Sequence, residues 1–382
     1  MSIAMNVPVS LFLVFFTLLY GLMCFYVYRR VAFGLRRRTQ IVLRIVAFGL
    51  FLVPFLRLLR PGWGENLEII GGWWLGWLTY FVLSLLLLEA GCLLLKRPWR
   101  RRLTFAAALL ALAIFAYGWN QARHPVIQPY DVTIAKEFPG RESLTIAMVS
   151  DVHIGALIDR GRVEELVQQL NAQQADLIVL VGDTIDQDAD YLPRHGIPQV
   201  LRGLKAPLGV YAVMGNHEYI SRKPEKALKY LEAGGLTVLR DRWQLVGNGL
   251  VLVGRDDFGR SRYQPGESDP LEDILAGVDL TRPVVVMDHQ PRRIDEAAVA
   301  GADVLLSGHT HQGQMWPISL ITHAMYELDW GMLQRGNMTM IVSSGYGGWG
   351  PPLRIGTQSE IVLLKLHFTG GQPARSDENK QE

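Results

Sequence analysis

Four long apolar runs fill the first third of this 382-residue chain, at residues 9–28, 41–59, 69–95 and 103–119. A helix crossing about 30 Å of hydrocarbon needs roughly 20 apolar residues, and each run is near or above that length. A cleaved signal peptide would account for the first run at most and leave three. Helices of a buried soluble bundle would carry a polar stripe, which these runs lack. The sequence therefore predicts a four-helix transmembrane domain over residues 1–123.

Charge is divided along the chain. Residues 1–123 hold 14 Lys and Arg against three acids, Glu65, Glu68 and Glu89, whereas the remainder holds 24 against 33. The acidic part has no basic patch, which argues against a nucleic-acid partner. With 49% hydrophobic residues and a net charge of +2, the composition excludes a disordered chain. Cys24 and Cys92 both lie in apolar runs, so neither a disulfide framework nor a thiolate zinc site is expected.

Basic residues between the runs give an orientation. Arg29, Arg30, Arg36, Arg37 and Arg38 follow the first run, and Lys96, Arg97, Arg100, Arg101 and Arg102 follow the third. Loops rich in Lys and Arg stay in the cytoplasm, which places everything after Trp119 outside, in a multi-pass protein of the cell (inner) membrane. Trp63, Trp73, Trp74, Trp77 and Trp119 then lie near the outer interface. Arg57 and Arg60 fall at that outer end too, where their long stems can snorkel to the headgroups. Arg44 and Glu89, both inside runs near the cytoplasmic end, are expected to pair with each other.

From about Ile127 the pattern changes to short β-branched runs separated by polar helical stretches. Predicted strands are 144–149, 177–181, 209–213, 250–253, 283–287, 304–306, 340–343 and 361–366, with helices at 161–173 and 223–233. Such alternation predicts a layered α/β domain over 124–369. The polar tail 370–382 has no apolar anchor and is expected to be disordered.

Chemistry gathers where these strands stop. Five strand ends read Ser150-Asp151-Val152-His153, Gly182-Asp183-Thr184-Ile185-Asp186, Gly215-Asn216-His217-Glu218, Asp288-His289 and Gly308-His309-Thr310-His311. Open α/β sheets bind ligands outside the carboxyl ends of their strands. Carboxylate, imidazole and amide oxygen without thiolate suit Mn, Fe, Zn or Ni, and a two-ion cluster needs about this many ligands. In Asp151-x-His153 and His309-x-His311, residues i and i+2 of an extended segment point the same way. The glycines before Asp183, Asn216 and His309 permit sharp turns out of the strands. A Gly-Asp pair alone is usually a turn, and a lone histidine is usually an ordinary hydrogen-bonding residue. All five motifs in this order point to a metal centre. His124, His195, His323 and His367 belong to no such constellation and read as structural or surface residues.

This ordered set resembles the calcineurin-like metallophosphoesterase superfamily, and the strings IAMVSDVHIG (146–155) and GHTHQGQ (308–314) are similar to its YkuE-like branch. The resemblance covers roughly residues 140–368. It implies a four-layer αββα sandwich, two β-sheets flanked by helices, and an enzyme that hydrolyses phosphoric ester bonds. It also implies two divalent metal ions per chain (Mn, Fe or Zn), with Asp151, His153 and His311 on one, Asn216, His289 and His309 on the other, and Asp183 bridging. Ions about 3.5–4 Å apart require a shared anion, and water bridging them ionises near neutral pH to attack phosphorus. By the same resemblance His217 is the catalytic histidine, protonating the leaving oxygen or stabilising the transition state. Asp186 is expected to orient a neighbouring ligand. Arg354, in a Gly- and Pro-rich stretch beyond strand 340–343, is expected to border the site and grip phosphate oxygens, with Tyr346 beside it. The alternative for Arg354 is an ion pair with a surface carboxylate.

Two features bear on the substrate. Four helices exceed what a mere anchor requires, and segment 315–332 is unusually apolar, either as a buried loop or as a lip that dips into the membrane interface. Together they favour a lipid-borne phosphate or diphosphate at the outer face of the membrane. One competing reading keeps the enzyme but makes the helices a tether, with soluble phosphodiesters or nucleotides as substrates. Another is a signalling or transport protein using a degenerate phosphatase fold as a binding module; degenerate members lose ligands, and here every expected one is present. The sequence sets no oligomeric state.

Overall fold

The computed structural model describes residues 9–56, 64–94 and 100–370. The expected disordered tail lies outside these residues from 371 on, as do Arg57, Arg60, Trp63, Lys96 and Arg97. The chain forms two compact units, Met1–Arg123 together with Trp349–Ile355, and His124–Gly348 together with the chain from Gly356.

In the first unit the apolar runs are helices α1 (Val9–Val31), α2 (Arg37–Leu56), α3 (Gly64–Leu94) and α4 (Arg100–Arg123). Among the described residues three helices are long and apolar enough to cross a membrane, over Val14–Val31, Gly64–Leu93 and Arg102–Arg123. Of the four expected spans, the second does not meet that measure among the described residues. Helix α2 opens on Arg37 and Arg38, carries Arg44, and is described only to Leu56, short of the predicted run's end. The expected Arg44–Glu89 pair is also corrected. Glu89 on α3 pairs with Arg30 at the end of α1, while Arg44 lies over the Tyr28 ring at 5.6 Å and bonds its hydroxyl at 3.2 Å. An arginine stem lying along an aromatic face keeps the guanidinium away from Glu89 and gains a cation–π contact instead.

The second unit holds two six-stranded sheets. Its strands are β1 (Val126–Ile134), β2 (Ser143–Val149), β3 (Leu177–Val181), β4 (Val210–Val213), β5 (Thr237–Val238), β6 (Arg242–Val246), β7 (Leu250–Gly254), β8 (Val284–Met287), β9 (Val304–Ser307), β10 (Gly331–Arg335), β11 (Met338–Val342) and β12 (Glu360–Phe368). One sheet runs β1-β12-β2-β3-β4-β5, the other β10-β11-β9-β8-β7-β6. All eight predicted strands are present. The other four escaped detection because they carry no buried apolar run: β6 is exposed at four of its five positions, and β1 is half exposed around Pro129.

Side-chain alternation builds the layers. Leu144, Ile146 and Met148 of β2 face Leu252, Val285 and Leu306 of the opposite sheet in a central core. Ala147 and Val149, one residue out of phase, face helices instead, packing with Val163, Leu166 and Leu170 of α5 (Arg160–Ala172). Asp159 caps α5 by accepting from the Arg162 N–H at 3.1 Å. The far face of the second sheet meets Leu271, Ile274, Ile294 and Ala297 from two short helices. The result is the expected αββα order. Strands β2, β3 and β4 are mutually parallel, as are β7, β8 and β9. Their carboxyl ends therefore share one edge of each sheet, and the ligand-bearing turns open there.

Candidate metal centre

Six donors predicted from sequence come together at this edge, in two groups of three. The ligand atoms of Asp151, His153 and His311 lie within 4.8 Å of one another, as do those of Asp183, His289 and His309. In the first group His153 Nε2 and His311 Nε2 face each other at 3.1 Å, and Asp151 Oδ1 is 3.3 Å from His311 Nε2. In the second, Asp183 Oδ2 is 3.1 Å from His289 Nε2. The same Oδ2 is 4.0 Å from His153 Nε2, so it stands between the two groups.

The ring orientations are fixed from behind. His289 Nδ1 lies 2.9 Å from the Val181 carbonyl, a geometry in which Nδ1 donates and Nε2 faces the site, where a bound cation would take the place of its proton. Asp183 Oδ1 accepts the backbone N–H of His217 at 2.8 Å, which turns Oδ2 toward the histidines. The His309 N–H donates to Asp151 Oδ2 at 2.9 Å and ties a turn of one sheet to a turn of the other.

Burial tests whether these residues fit metal. Asp151, His153, Asp183, His289 and His311 are all buried, with Asp151 and His289 fully so. Asn216 Oδ1 and His289 Nε2 are buried with no hydrogen-bond partner. An orphaned buried acceptor costs about 1–3 kcal/mol, and buried charge is retained only when paired or coordinated. A divalent cation satisfies both atoms. Burial alone would raise the Asp183 carboxyl, but His289 and His217 beside it hold it well below its usual range. Burial and the neighbouring His289 push His309 down to about 3, leaving a neutral imidazole suited to ligation.

Backbone geometry departs from the sequence expectation. Asp151 (φ 53), His153 (φ 53), Asp183 (φ 48), His309 (φ 72) and His311 (φ 51) are all left-handed. The i, i+2 pairs therefore do not converge through an extended pleat; sharp turns aim them. Such conformations cost on the order of 1–3 kcal/mol each and persist where surrounding structure holds them, typically at functional sites. Two of the flanking glycines also serve another purpose than turning. A Cβ on Gly215 would lie 2.3 Å from Asp183 Oδ1, and one on Gly308 would lie 2.3 Å from Asp151 Oδ2. Gly215 itself has φ −111, which any residue adopts. Close approach of backbone to ligand is what excludes a side chain at both positions.

His217 and Asp186 sit beside the triads. His217 Nδ1 is 3.0 Å from the Asp186 carbonyl and 3.1 Å from its carboxylate, so Asp186 orients His217 most directly. Burial opposes charging of His217, but Asp183 and Asp186 raise its pKa to about 9.

The two expected substrate contacts are corrected. Tyr346 is wholly buried in the helix-side core, its ring 5.1 Å beneath the Arg162 guanidinium. Arg354 is also wholly buried, and its segment belongs to the helical unit, where its N–H donates to the Gly118 carbonyl at 2.9 Å. Neither side chain presents surface to an incoming phosphate in this arrangement. The physical cause is the apolar Pro351-Pro352-Leu353 sequence, which draws the stretch into packing.

Sequence reading missed three contributors. Glu218 is fully buried and accepts the backbone N–H groups of Asp183, Ile185 and Gly215, which fixes two ligand turns to each other. Its place in Gly-Asn-His-Glu was the available signal. Asp257, past the end of β7, is buried at the site's edge, and burial pushes its carboxyl up to about 6. Arg292, three residues past His289, is exposed and lies 5.2 Å over the Tyr326 ring, which meets the His309 ring edge-on at 6.2 Å.

A two-sheet αββα sandwich with six clustered Asp and His donors and no thiolate defines a metal-dependent phosphoesterase. Residues 144–313 match the family model described as calcineurin-like phosphoesterase. An uncharacterized metallophosphoesterase from Aquifex aeolicus is 32% identical over 68% of this chain and 99% of its own length. A zebrafish protein named as a transmembrane protein with metallophosphoesterase domain is 29% identical over 69% of this chain, and the match spans 63% of that relative's length. Among solved structures, a 5'-nucleotidase precursor from Thermus thermophilus is similar over 58% of this chain and 55% of that one, at 14% identity and a TM-score of 0.38. The chain belongs to the calcineurin-like metallophosphoesterase family.

Proposed function

We propose that this phosphoesterase holds two divalent ions and hydrolyses a phosphate ester or diphosphate bond of a lipid-borne substrate at the outer face of the membrane. The observation that carries the reading is Asp183 Oδ2 standing between the two donor groups. Asp151, His153 and His311 would hold one ion, Asn216, His289 and His309 the other, with Asp183 shared. Bound Mn, Fe or Zn supplies water ionised near neutral pH and offsets charge on the phosphoryl oxygens. The chain's own groups do the rest. His217, held at Nδ1 by Asp186, keeps Nε2 to carry a proton to the leaving oxygen. Burial of these donors keeps bulk water from them and so strengthens each electrostatic contact.

Support for a lipid-borne substrate comes from the three membrane-length helices on the same chain. The purified full chain with Mn²⁺, offered phospholipids and polyprenyl phosphates in mixed micelles beside soluble nucleotides and p-nitrophenyl phosphoesters, is expected to cleave a lipid phosphate fastest. Fastest turnover of the soluble esters would make the helices a tether. Orientation rests on the basic loops. A cysteine replacing the exposed Glu232 is expected to react with an impermeant thiol reagent in intact cells. Protection until the membrane is opened would reverse the topology.

A further inference from the structure

The segment that sequence reading left as either buried loop or lip is exposed. None of the eight residues of helix Ile318–Met325 is buried. Trp316 is 50% exposed, Ile318 42%, Leu320 62%, Ile321 57%, Met325 62% and Trp330 38%. The segment is held from beneath and bare on its outer side. The Thr310 hydroxyl donates to the Asp329 carbonyl at 2.6 Å, and the Thr322 hydroxyl donates to the Asp329 carboxylate at 2.8 Å. Thr310 stands between the metal-site histidines 309 and 311, so the segment is anchored to the turn that carries both.

Contiguous exposed apolar surface of this kind marks an interaction site. Three observations select a lipid surface as its occupant. Helix α4, long and apolar enough to cross a membrane, ends at Arg123, and β1 begins at Val126. Two intervening residues span only about 7 Å when extended, a short tether between the phosphoesterase unit and a helix of membrane length. Trp316 and Trp330 bracket the aliphatic residues, as indole rings do where a segment lies in the interface. Finally, residues 315–332 contain no Lys or Arg; the patch offers apolar area rather than positive charge, and a zwitterionic bilayer suffices for it.

We propose that Trp316, Ile318, Leu320, Ile321 and Met325 form a lipid-docking lip that sits among acyl chains at the headgroup boundary, and that substrate passes along it into the metal centre. At its inner end Arg292, stacked on Tyr326 and donating to the Tyr326 hydroxyl at 3.2 Å, takes the phosphate of the arriving lipid. Docking stands on the surface itself; delivery of substrate rests on the function proposed above.

The test uses the full chain in phosphatidylcholine vesicles, with Cys24→Ala and Cys92→Ala and a nitroxide on Leu320→Cys. The label is expected to be relaxed more by oxygen than by a water-soluble nickel chelate, as at acyl-chain depth. A label on Glu232→Cys should show the reverse. Equal nickel accessibility at both positions overturns docking. Dipolar broadening at position 320 that disappears on dilution with unlabelled chain would assign the patch to a second copy, which also overturns it. For delivery, Leu320→Asp combined with Ile321→Asp removes the apolar burial of two side chains, so turnover of vesicle-borne lipid phosphate should fall about tenfold or more. Cleavage of p-nitrophenyl phosphoesters should not change. Equal loss on both substrates, or none on either, overturns delivery. If the unmodified protein cleaves neither substrate, the proposed function fails while the label still decides docking.

Discussion

Asp183→Asn is expected to empty the metal centre and remove nearly all hydrolysis. Among the described residues Asp183 Oδ2 is the one carboxylate oxygen paired with both histidine groups, 3.1 Å from His289 Nε2 and 4.0 Å from His153 Nε2. An amide offers no negative charge there, and metal binding falls with the charge of its ligands. Losing one ion forfeits several kcal/mol of transition-state stabilisation, and about 4 kcal/mol corresponds to about 10³-fold in rate. The fold should survive, because the amide oxygen can still accept the His217 N–H that now bonds Oδ1. Metal analysis, circular dichroism and turnover of the same preparation decide the matter. Two ions per chain with unchanged turnover would sink the shared-ligand assignment.

His217→Ala should act differently: metal content persists and turnover falls by about 10²–10⁴-fold, the range for a positioned acid. The backbone N–H that braces Asp183 remains in alanine, so the ligand turns keep their geometry. The ring has a competing possibility, since His153, Asp186 and His217 also bring ligand atoms within 4.8 Å of one another. Loss of an ion in His217→Ala would make it a ligand and overturn the proton-donor role. Asp186→Asn gives the companion reading. It weakens the hold on His217 Nδ1, and a rate loss smaller than that of His217→Ala, with metal retained, fits an orienting role.

Much of the unit was legible because each motif repeats one local grammar, a β-branched run followed by Gly, Asp, Asn or His. Strands β2, β3, β8 and β9 are buried along their whole length or nearly so, and such runs stand out in sequence. Strands β6 and β10 did not stand out, because edge strands exposed to solvent need no apolar pattern. Residues aimed by turns were recognisable by type, yet the reason for their aim was misread. Extended alternation was expected, whereas left-handed backbone at five donors does the pointing. Arg354 and Tyr346 failed for a related reason. Sequence proximity to a strand end says nothing about whether a side chain faces inward, and both are wholly buried.

What the sequence determined by itself was chemistry and partition: an apolar, basic first third, an acidic α/β remainder, and a thiol-free set of carboxylate, amide and imidazole donors at strand ends. Those are properties of residue type and local period, and both are written directly in the chain. Tertiary structure alone decided that Asp183 Oδ2 stands between the groups, that Asp186 holds His217, that Glu218 ties three backbone N–H groups together, and that the apolar segment after His311 is bare rather than buried. Most of these contacts join atoms 30 or more residues apart within a few ångströms, as His153 and His311 meet across 158 positions. Local periodicity carries no record of such meetings, because it is the packing of two sheets on a common core that brings them about.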